Sequence, residues 1–259
     1  MSHDGIVLDV DGTLIRGSEP IPGAIDAVDR LREAGLRPAF VSNNPIQTRQ
    51  AYADRLSSYG FSLDRSELIT AGSVTAEVLA REHGSKRLYV VGEDGLREQL
   101  RAADLELVED HANADVLVAS IDRGFSYDEL TNALWTLSDP DVRFVGTDPD
   151  RTIPTETREV PGSGAIINAI VGVAGREPDA MMGKPAPSAV ETIERTLGAD
   201  AEDCLIVGDR LDTDIAMGER AGMTTVLVRT GVTDEHALAA SELDPDHVLD
   251  SVADLDSVL

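Results

Sequence analysis

Apolar and polar positions along this chain follow two alternating rhythms. Short apolar runs give way to stretches whose apolar residues recur at helical spacing, a pattern that predicts βαβ units around a parallel sheet. "GIVLDV" reads as the first strand. The stretch "PGAIDAVDRLREAG" reads as a helix, with Pro22 in its first turn, Ile25, Val28 and Leu31 on one face, and Gly35 at its end. "RPAFVSNN" is a second strand, and "PIQTRQAYADRLSSYG" a second helix that opens on Pro45 and closes at Gly60. The same order returns near the C-terminus as helix "PSAVETIERTLG", strand "CLIVGD", helix "DTDIAMGERAG" and strand "TTVLVR". The two ends, 1–75 and 178–259, therefore read as one discontinuous α/β domain. Between them, 76–177 carries "RLYVVG", "ADVLVAS", the amphipathic "YDELTNALWTLS" and "VRFVGTDPD", enough chain for an inserted domain with its own small α/β core. Leu134 and Trp135 are expected on the core face of the amphipathic helix.

Composition narrows the setting more than the chemistry. The 259 residues are 42% hydrophobic and 27% charged, as in a globular protein, and no apolar run approaches the roughly 20 residues of a membrane span. The start lacks the basic and apolar regions of a signal peptide, so the cytoplasm is the expected compartment. The lone Cys204 lies inside an apolar run and reads as a small core residue, which rules out a disulfide framework or a thiolate metal cluster within one chain. Lys and Arg total 22 against 48 Asp and Glu, a formal net charge of −26 that disfavours nucleic acid and anionic membranes as partners. The acidic residues are spread along the chain, and lysine occurs only at Lys86 and Lys184. Such a composition is similar to that of proteins from salt-loving organisms, because a Debye length of about 3 Å in molar salt screens a carboxylate-dense surface.

The candidate chemistry lies at the strand ends. In an open parallel sheet, ligands sit beyond the carboxyl ends of the strands, where the strand order reverses. The first strand delivers Asp9 and Asp11 there, the second Ser42 and Asn43, and "CLIVGD" delivers Asp209, with Asp214 a turn later. Clustered carboxylates repel one another unless a cation joins them, and an all-oxygen set suits Mg²⁺. With charge so balanced, Asp9 can act as a nucleophile, since a carboxylate can form an aspartyl-phosphate. Asp11 faces the same side and can exchange a proton with a leaving oxygen and then with water. Gly12 lets the chain turn away sharply. The Ser42 hydroxyl and the N–H groups heading the second helix suit phosphate oxygens, and Lys184 offers a compact positive charge.

In this order, "DVDGTL", "VSNN", "GKP" and "GDRLDTD" resemble the four motifs of the haloacid dehalogenase-like (HAD) phosphohydrolase superfamily. The insertion between the second and third motifs, with "GTDPD" and "VPGSGAI" inside it, is similar to the type-two cap of the NagD-like, 4-nitrophenylphosphatase-like branch. The resemblance spans essentially the whole chain. It implies a Rossmann-like HAD core with an α/β cap and Mg²⁺-dependent hydrolysis of a small phosphorylated metabolite. It also implies Asp9 as nucleophile, Asp11 as general acid and base, Ser42 and Asn43 as phosphate binders, and Lys184 as the third-motif lysine, catalytic and phosphate-binding. Mg²⁺ would be held by Asp9, the backbone carbonyl of Asp11 and Asp209, with Asp214 supporting. Dimers through the cap are common in this branch, which leaves a homodimer open. The branch usually carries asparagine where this chain has Asp148, so a relative's substrate does not transfer directly; Asp148 and Asp150 read first as turn residues beside Pro149 and are also the candidates for specificity in the cap.

Other readings are weaker. A calcium-binding EF-hand needs glycine sixth and glutamate twelfth, whereas counting from Asp9 places Gly12 fourth and Pro20 twelfth. "PGSG" lacks the third glycine of a dinucleotide loop and reads as a helix-opening turn. A dehalogenase would need no acid at Asp11. A phosphotransferase or mutase would share the intermediate and differ in what attacks it, and a non-catalytic phosphate-ligand-binding protein would have kept the fold alone. The five histidines lie outside the motifs and receive no role.

Overall fold

The computed structural model describes residues 3–154 and 158–259. Two units form: Met1–Ser42, Arg49–Ile69 and Lys184–Leu259 make the first, and Asn43–Thr48 with Thr70–Gly183 the second. The strands of the two large sheets are, in chain order, β1 (Gly5–Asp9), β2 (Arg37–Ser42), β3 (Leu68–Thr70), β4 (Arg87–Val91), β5 (Glu106–Leu107), β6 (Val116–Ala119), β7 (Arg143–Gly146), β8 (Ala180–Met181), β9 (Cys204–Gly208), β10 (Thr224–Val228) and β11 (His247–Leu249). The helices that concern the site are α1 (Ala24–Glu33), α2 (Arg49–Ser58), α3 (Ala71–His83), α4 (Asp94–Ala102), α5 (Tyr127–Leu137), α6 (Ser163–Ala174), α7 (Pro187–Leu197) and α8 (Ala216–Ala221).

In the first unit the sheet order is β11-β10-β9-β1-β2-β3, and β1 pairs in parallel with both β2 and β9. Sequence order therefore reverses between β1 and β9, which fixes where a ligand crevice opens. All five residues of β1 are buried, as expected of a central parallel strand covered on both faces. Ile6 and Leu8 join a core with Val28 and Leu31 of α1 and Tyr52 and Leu56 of α2. Burying each such aliphatic side chain contributes roughly 1.5–3 kcal/mol, so the strand that carries Asp9 is anchored by packing before any polar contact forms.

In the second unit the order is β8-β7-β6-β4-β5, again with parallel pairs. Its core gathers Val91, Leu117, Leu137, Phe144 and Ile167. This Rossmann-like α/β architecture, with a second α/β unit inserted, is the one the sequence implies. The insertion is wider than 76–177, because α3 and β8 belong to its helix layer and sheet and place its ends at Thr70 and Gly183. The short segment Asn43–Thr48 joins it too, held by a Gln99 Nε2 hydrogen bond to the Pro45 carbonyl at 3.0 Å.

Three local expectations shift. Helix α2 begins at Arg49 instead of Pro45, because the Asn44 side chain accepts the N–H groups of Ile46 and Gln47 at 2.9 Å each and keeps that segment in a turn. The helix after β9 opens with a π-helical stretch, Leu211–Ile215, before α8. Trp135 is 59% exposed instead of core, since Ala133, Thr136 and Leu137 form the buried side of α5. Among the described residues no helix is long and apolar enough to cross a membrane.

Candidate active site

The ends of β1 and β9 bring buried carboxylates around one ammonium. Asp9 closes β1, and its Oδ1 accepts a hydrogen bond from Lys184 Nζ at 2.6 Å while Oδ2 accepts one from Thr13 Oγ1 at 3.0 Å. Lys184, on the loop that leads into α7, also donates to Asp214 Oδ1 at 2.6 Å and to the Val41 carbonyl at 3.2 Å. It thereby ties β1, β2 and the segment after β9 together. Asp214 is fully buried, and its Oδ2 accepts from the Arg210 N–H at 3.1 Å. Asp209 follows β9 directly, and its Oδ2 accepts the Val232 N–H at 2.7 Å.

This packing is tight enough to dictate residue type. Gly12 has φ +103°, and a Cβ there would collide with the Asp209 carboxylate; one at Gly208 would collide with Asp214. The sharp turn expected at Gly12 thus serves the neighbouring carboxylate as well as its own loop.

Electrostatics follow from burial. Burial pushes the Asp9 carboxyl well above the usual carboxylate range, with Lys184 opposing and Asp214 and Asp209 adding to the push. Burial, then Asp214, pushes Asp209 up to about 7. For Lys184 burial works against the charge, but Asp214 and Asp9 more than offset it and hold the ammonium above its ordinary range. Three carboxylates against one ammonium leave negative charge uncompensated. Oxygen atoms of Asp9, Asp209 and Asp214 lie within 4.8 Å of one another, and Asp209 Oδ1 is buried with no hydrogen-bond partner among the described residues. Such an oxygen set fits a hard divalent cation. Both oxygens of Asp214 are engaged by Lys184 and Arg210, which suits it to hold Lys184, while Asp209 Oδ1 has no such partner among the described residues.

Asp11 stands apart from this buried group. Its side chain is 44% exposed, and its Oδ2 accepts a hydrogen bond from the Tyr52 hydroxyl at 2.6 Å. Ser42 Oγ lies 3.5 Å from the same oxygen, and Arg55 Nη2 lies 3.8 Å from Oδ1. Burial, followed by the Asp11 charge, holds the Tyr52 phenol well above its usual range, so it stays protonated as a donor.

The remaining candidates meet in the second unit. Asn43 Nδ2 donates to Asp150 Oδ1 at 3.1 Å. Asp148 is only 2% exposed; its Oδ2 accepts from Thr147 Oγ1 at 2.9 Å and its Oδ1 from the Asp150 N–H at 3.3 Å. Burial, then the neighbouring Asp150, pushes the Asp148 carboxyl up to about 8. Thr147 Oγ1 in turn lies 2.9 Å from Ser120 Oγ, whose hydroxyl can donate to it.

Comparison with known proteins bears on what this arrangement is. A family model described as haloacid dehalogenase-like hydrolase matches residues 6–106, and one described as HAD-hydrolase-like matches 181–255. The 5'-nucleotidase YutF of Bacillus subtilis is 33% identical, over 98% of this chain and 97% of that protein. The chain is a HAD-like hydrolase. Among solved structures, a p-nitrophenyl phosphatase from Archaeoglobus fulgidus is 36% identical with a TM-score of 0.94, each chain covered in full. NagD from Escherichia coli K-12 is 30% identical, with a TM-score of 0.89 and each chain again covered in full.

The HAD motif residues in the first unit are thus joined by direct contacts: Asp9, Lys184 and Asp214 in one chain of ion pairs, and Asp11 with Ser42 around Tyr52. Two residues of this hydrolase site escape the sequence reading. Thr13 lies two positions beyond Asp11 in a motif read for its carboxylates, and its hydroxyl was the available signal. Tyr52 sits on the buried side of α2, where an aromatic residue reads as core; its distinguishing mark is a hydroxyl on an otherwise apolar face.

Proposed function

We propose that this hydrolase is a Mg²⁺-dependent phosphatase that cleaves a small phosphomonoester through an aspartyl-phosphate on Asp9. The observation that carries the reading is the Asp9 carboxylate, fixed at the end of β1 by Lys184 and Thr13, beside the buried Asp209 Oδ1, which has no hydrogen-bond partner among the described residues. Asp9 attacks phosphorus, the bond to the alcohol oxygen breaks, and Asp11 delivers a proton to that oxygen. Asp11 then takes a proton from water as the water oxygen attacks phosphorus, which breaks the bond to Asp9 and releases inorganic phosphate. Ser42 and Asn43 bind phosphate oxygens, and Lys184 holds Asp9 in place. Asp9, the Asp11 carbonyl and Asp209 would hold Mg²⁺, with Asp214 supporting through Lys184. When bound, the ion would offset the charge of the carboxylates and of the phosphate. Relatives named for a 5'-nucleotide and for a nitrophenyl ester support a small phosphorylated metabolite as the substrate class.

The test is Asp9→Asn, which keeps shape and removes the nucleophile. Turnover of 4-nitrophenyl phosphate and acid-stable labelling of the protein by substrate phosphate should both vanish, while wild type releases inorganic phosphate only when Mg²⁺ is supplied. An Asp9→Asn protein that still turns over, or a wild type indifferent to chelator, overturns the reading.

A further inference from the structure

Asp11 has an unusual problem for an acid–base group. It lies in the loop after β1, just before the positive-φ turn at Gly12, and its side chain is 44% exposed. A free carboxylate there would rotate among staggered rotamers. Proton transfer, by contrast, needs one oxygen kept within hydrogen-bond reach of the reacting atom.

Tyr52 answers that problem. Its ring is fully buried in the first unit's core, on the side of α2 that also buries Ala53 and Leu56, so packing locks its rotamer. Its hydroxyl, buried with the ring, lies 2.6 Å from Asp11 Oδ2 and 3.2 Å from Ser42 Oγ. Arg55, one turn later on α2, sits 5.4 Å over the Tyr52 ring and donates to the Gly17 carbonyl at 2.9 Å, which ties the loop beyond Asp11 to the same helix. A donor packed on a helix thus meets a part-exposed acceptor on a loop.

We infer that Tyr52 is a positioning residue: its hydroxyl holds Asp11 Oδ2 so that Oδ1 is the oxygen that exchanges the proton, and it ties Asp11 to the phosphate-binding Ser42. The inference rests on the aspartyl-phosphate reading above. Tyr52 keeps its own proton throughout; the transferred proton moves between Asp11 and the leaving oxygen, and later between water and Asp11.

The experiment is Tyr52→Phe, which deletes one oxygen and leaves the packed ring, compared with wild type and Asp11→Asn on two ester types. With an alkyl phosphate, kcat should fall about tenfold with KM little changed, a smaller loss than the roughly 10²–10⁴-fold typical of the acid–base group itself. With 4-nitrophenyl phosphate, whose leaving group departs unaided, the first step should be unchanged and labelled phosphoenzyme should accumulate, because water attack still depends on Asp11. In the Asp11→Asn background the same substitution should add nothing. A Tyr52→Phe protein with wild-type kcat on both esters, or one that loses equally on both without accumulating phosphoenzyme, overturns the inference. A thermal melt identifies a general loss of fold, in which case the effect of Tyr52→Phe would persist undiminished in the Asp11→Asn background and the inference fails. If wild type itself forms no phosphoenzyme, the reading beneath the inference has failed instead.

Discussion

Two parallel sheets in one chain end in very different ways. At the carboxyl ends of β1 and β9, Asp9, Asp209 and Asp214 crowd around the Lys184 ammonium, all of them buried. At the corresponding ends of β6 and β7 stand Ser120, Thr147 and Asp148, joined by hydroxyl hydrogen bonds. Burial pushes carboxyls up at both edges; at the first an ammonium opposes the push on Asp9 and Asp209, whereas at the second the carboxyl neighbouring Asp148 adds to it. Burial is common to both. The lesson is that βα architecture supplies a place to bury polar groups, and the partner supplied there, ammonium or hydroxyl, distinguishes what each edge can hold.

The largest expected difference between the two edges comes from removing that counter-charge. Lys184→Met should abolish turnover and destabilise the protein by about 3–5 kcal/mol, the usual cost of breaking a buried ion pair. Ser120→Ala, at the other edge, should cost about 1 kcal/mol, as a single neutral hydrogen bond does. Denaturant unfolding of both variants checks this, and equal losses would dissolve the distinction. A smaller effect concerns the divalent ion: at a hundred times its Kd, Mg²⁺ should stabilise wild type by about 2.7 kcal/mol. Asp209→Asn should lose that stabilisation in a thermal melt, and Asp148→Asn should retain it. If both retain it, the ion does not use Asp209.

The smallest effect is in pH. Asp148 is raised from 3.8 to about 8, so the folded protein binds a proton that the unfolded chain has released; the stabilisation is full below about pH 4 and disappears as pH rises through about 8. Asp148→Asn removes this dependence. Across about one pH unit near neutrality, wild type should therefore lose up to about 1.4 kcal/mol relative to the variant. A constant gap between the two unfolding curves would show Asp148 ionised in the folded state.

Much of the first edge is legible in the sequence because each motif ends an apolar run: once "GIVLD" and "CLIVG" are strands, Asp9 and Asp209 have only one place to be. The contacts that organise them are less legible. That Asp214 binds Lys184 depends on residues thirty positions apart meeting across β9, which no local pattern encodes. Tyr52 is hidden for the opposite reason, since the burial of its ring is what the pattern reports and its hydroxyl is what the site uses. Helix α2 starts late because one side chain, Asn44, competes with the helix for its own N–H groups. The ends of the insertion miss by several residues because α3 has helical periodicity suited to either unit, and only its packing against α4 assigns it.

The scarcity of lysine has a practical consequence. Of the two lysine side chains, Lys86 is exposed and Lys184 is 2% exposed between two carboxylates. Acylating reagents consume the unprotonated amine, so apart from the chain terminus they will find one ready target on the folded protein. Conjugation to a dye or a solid support through Lys86 is therefore close to site-specific without engineering. The slow appearance of a second adduct, at Lys184, becomes a clock for how often the buried centre opens to solvent.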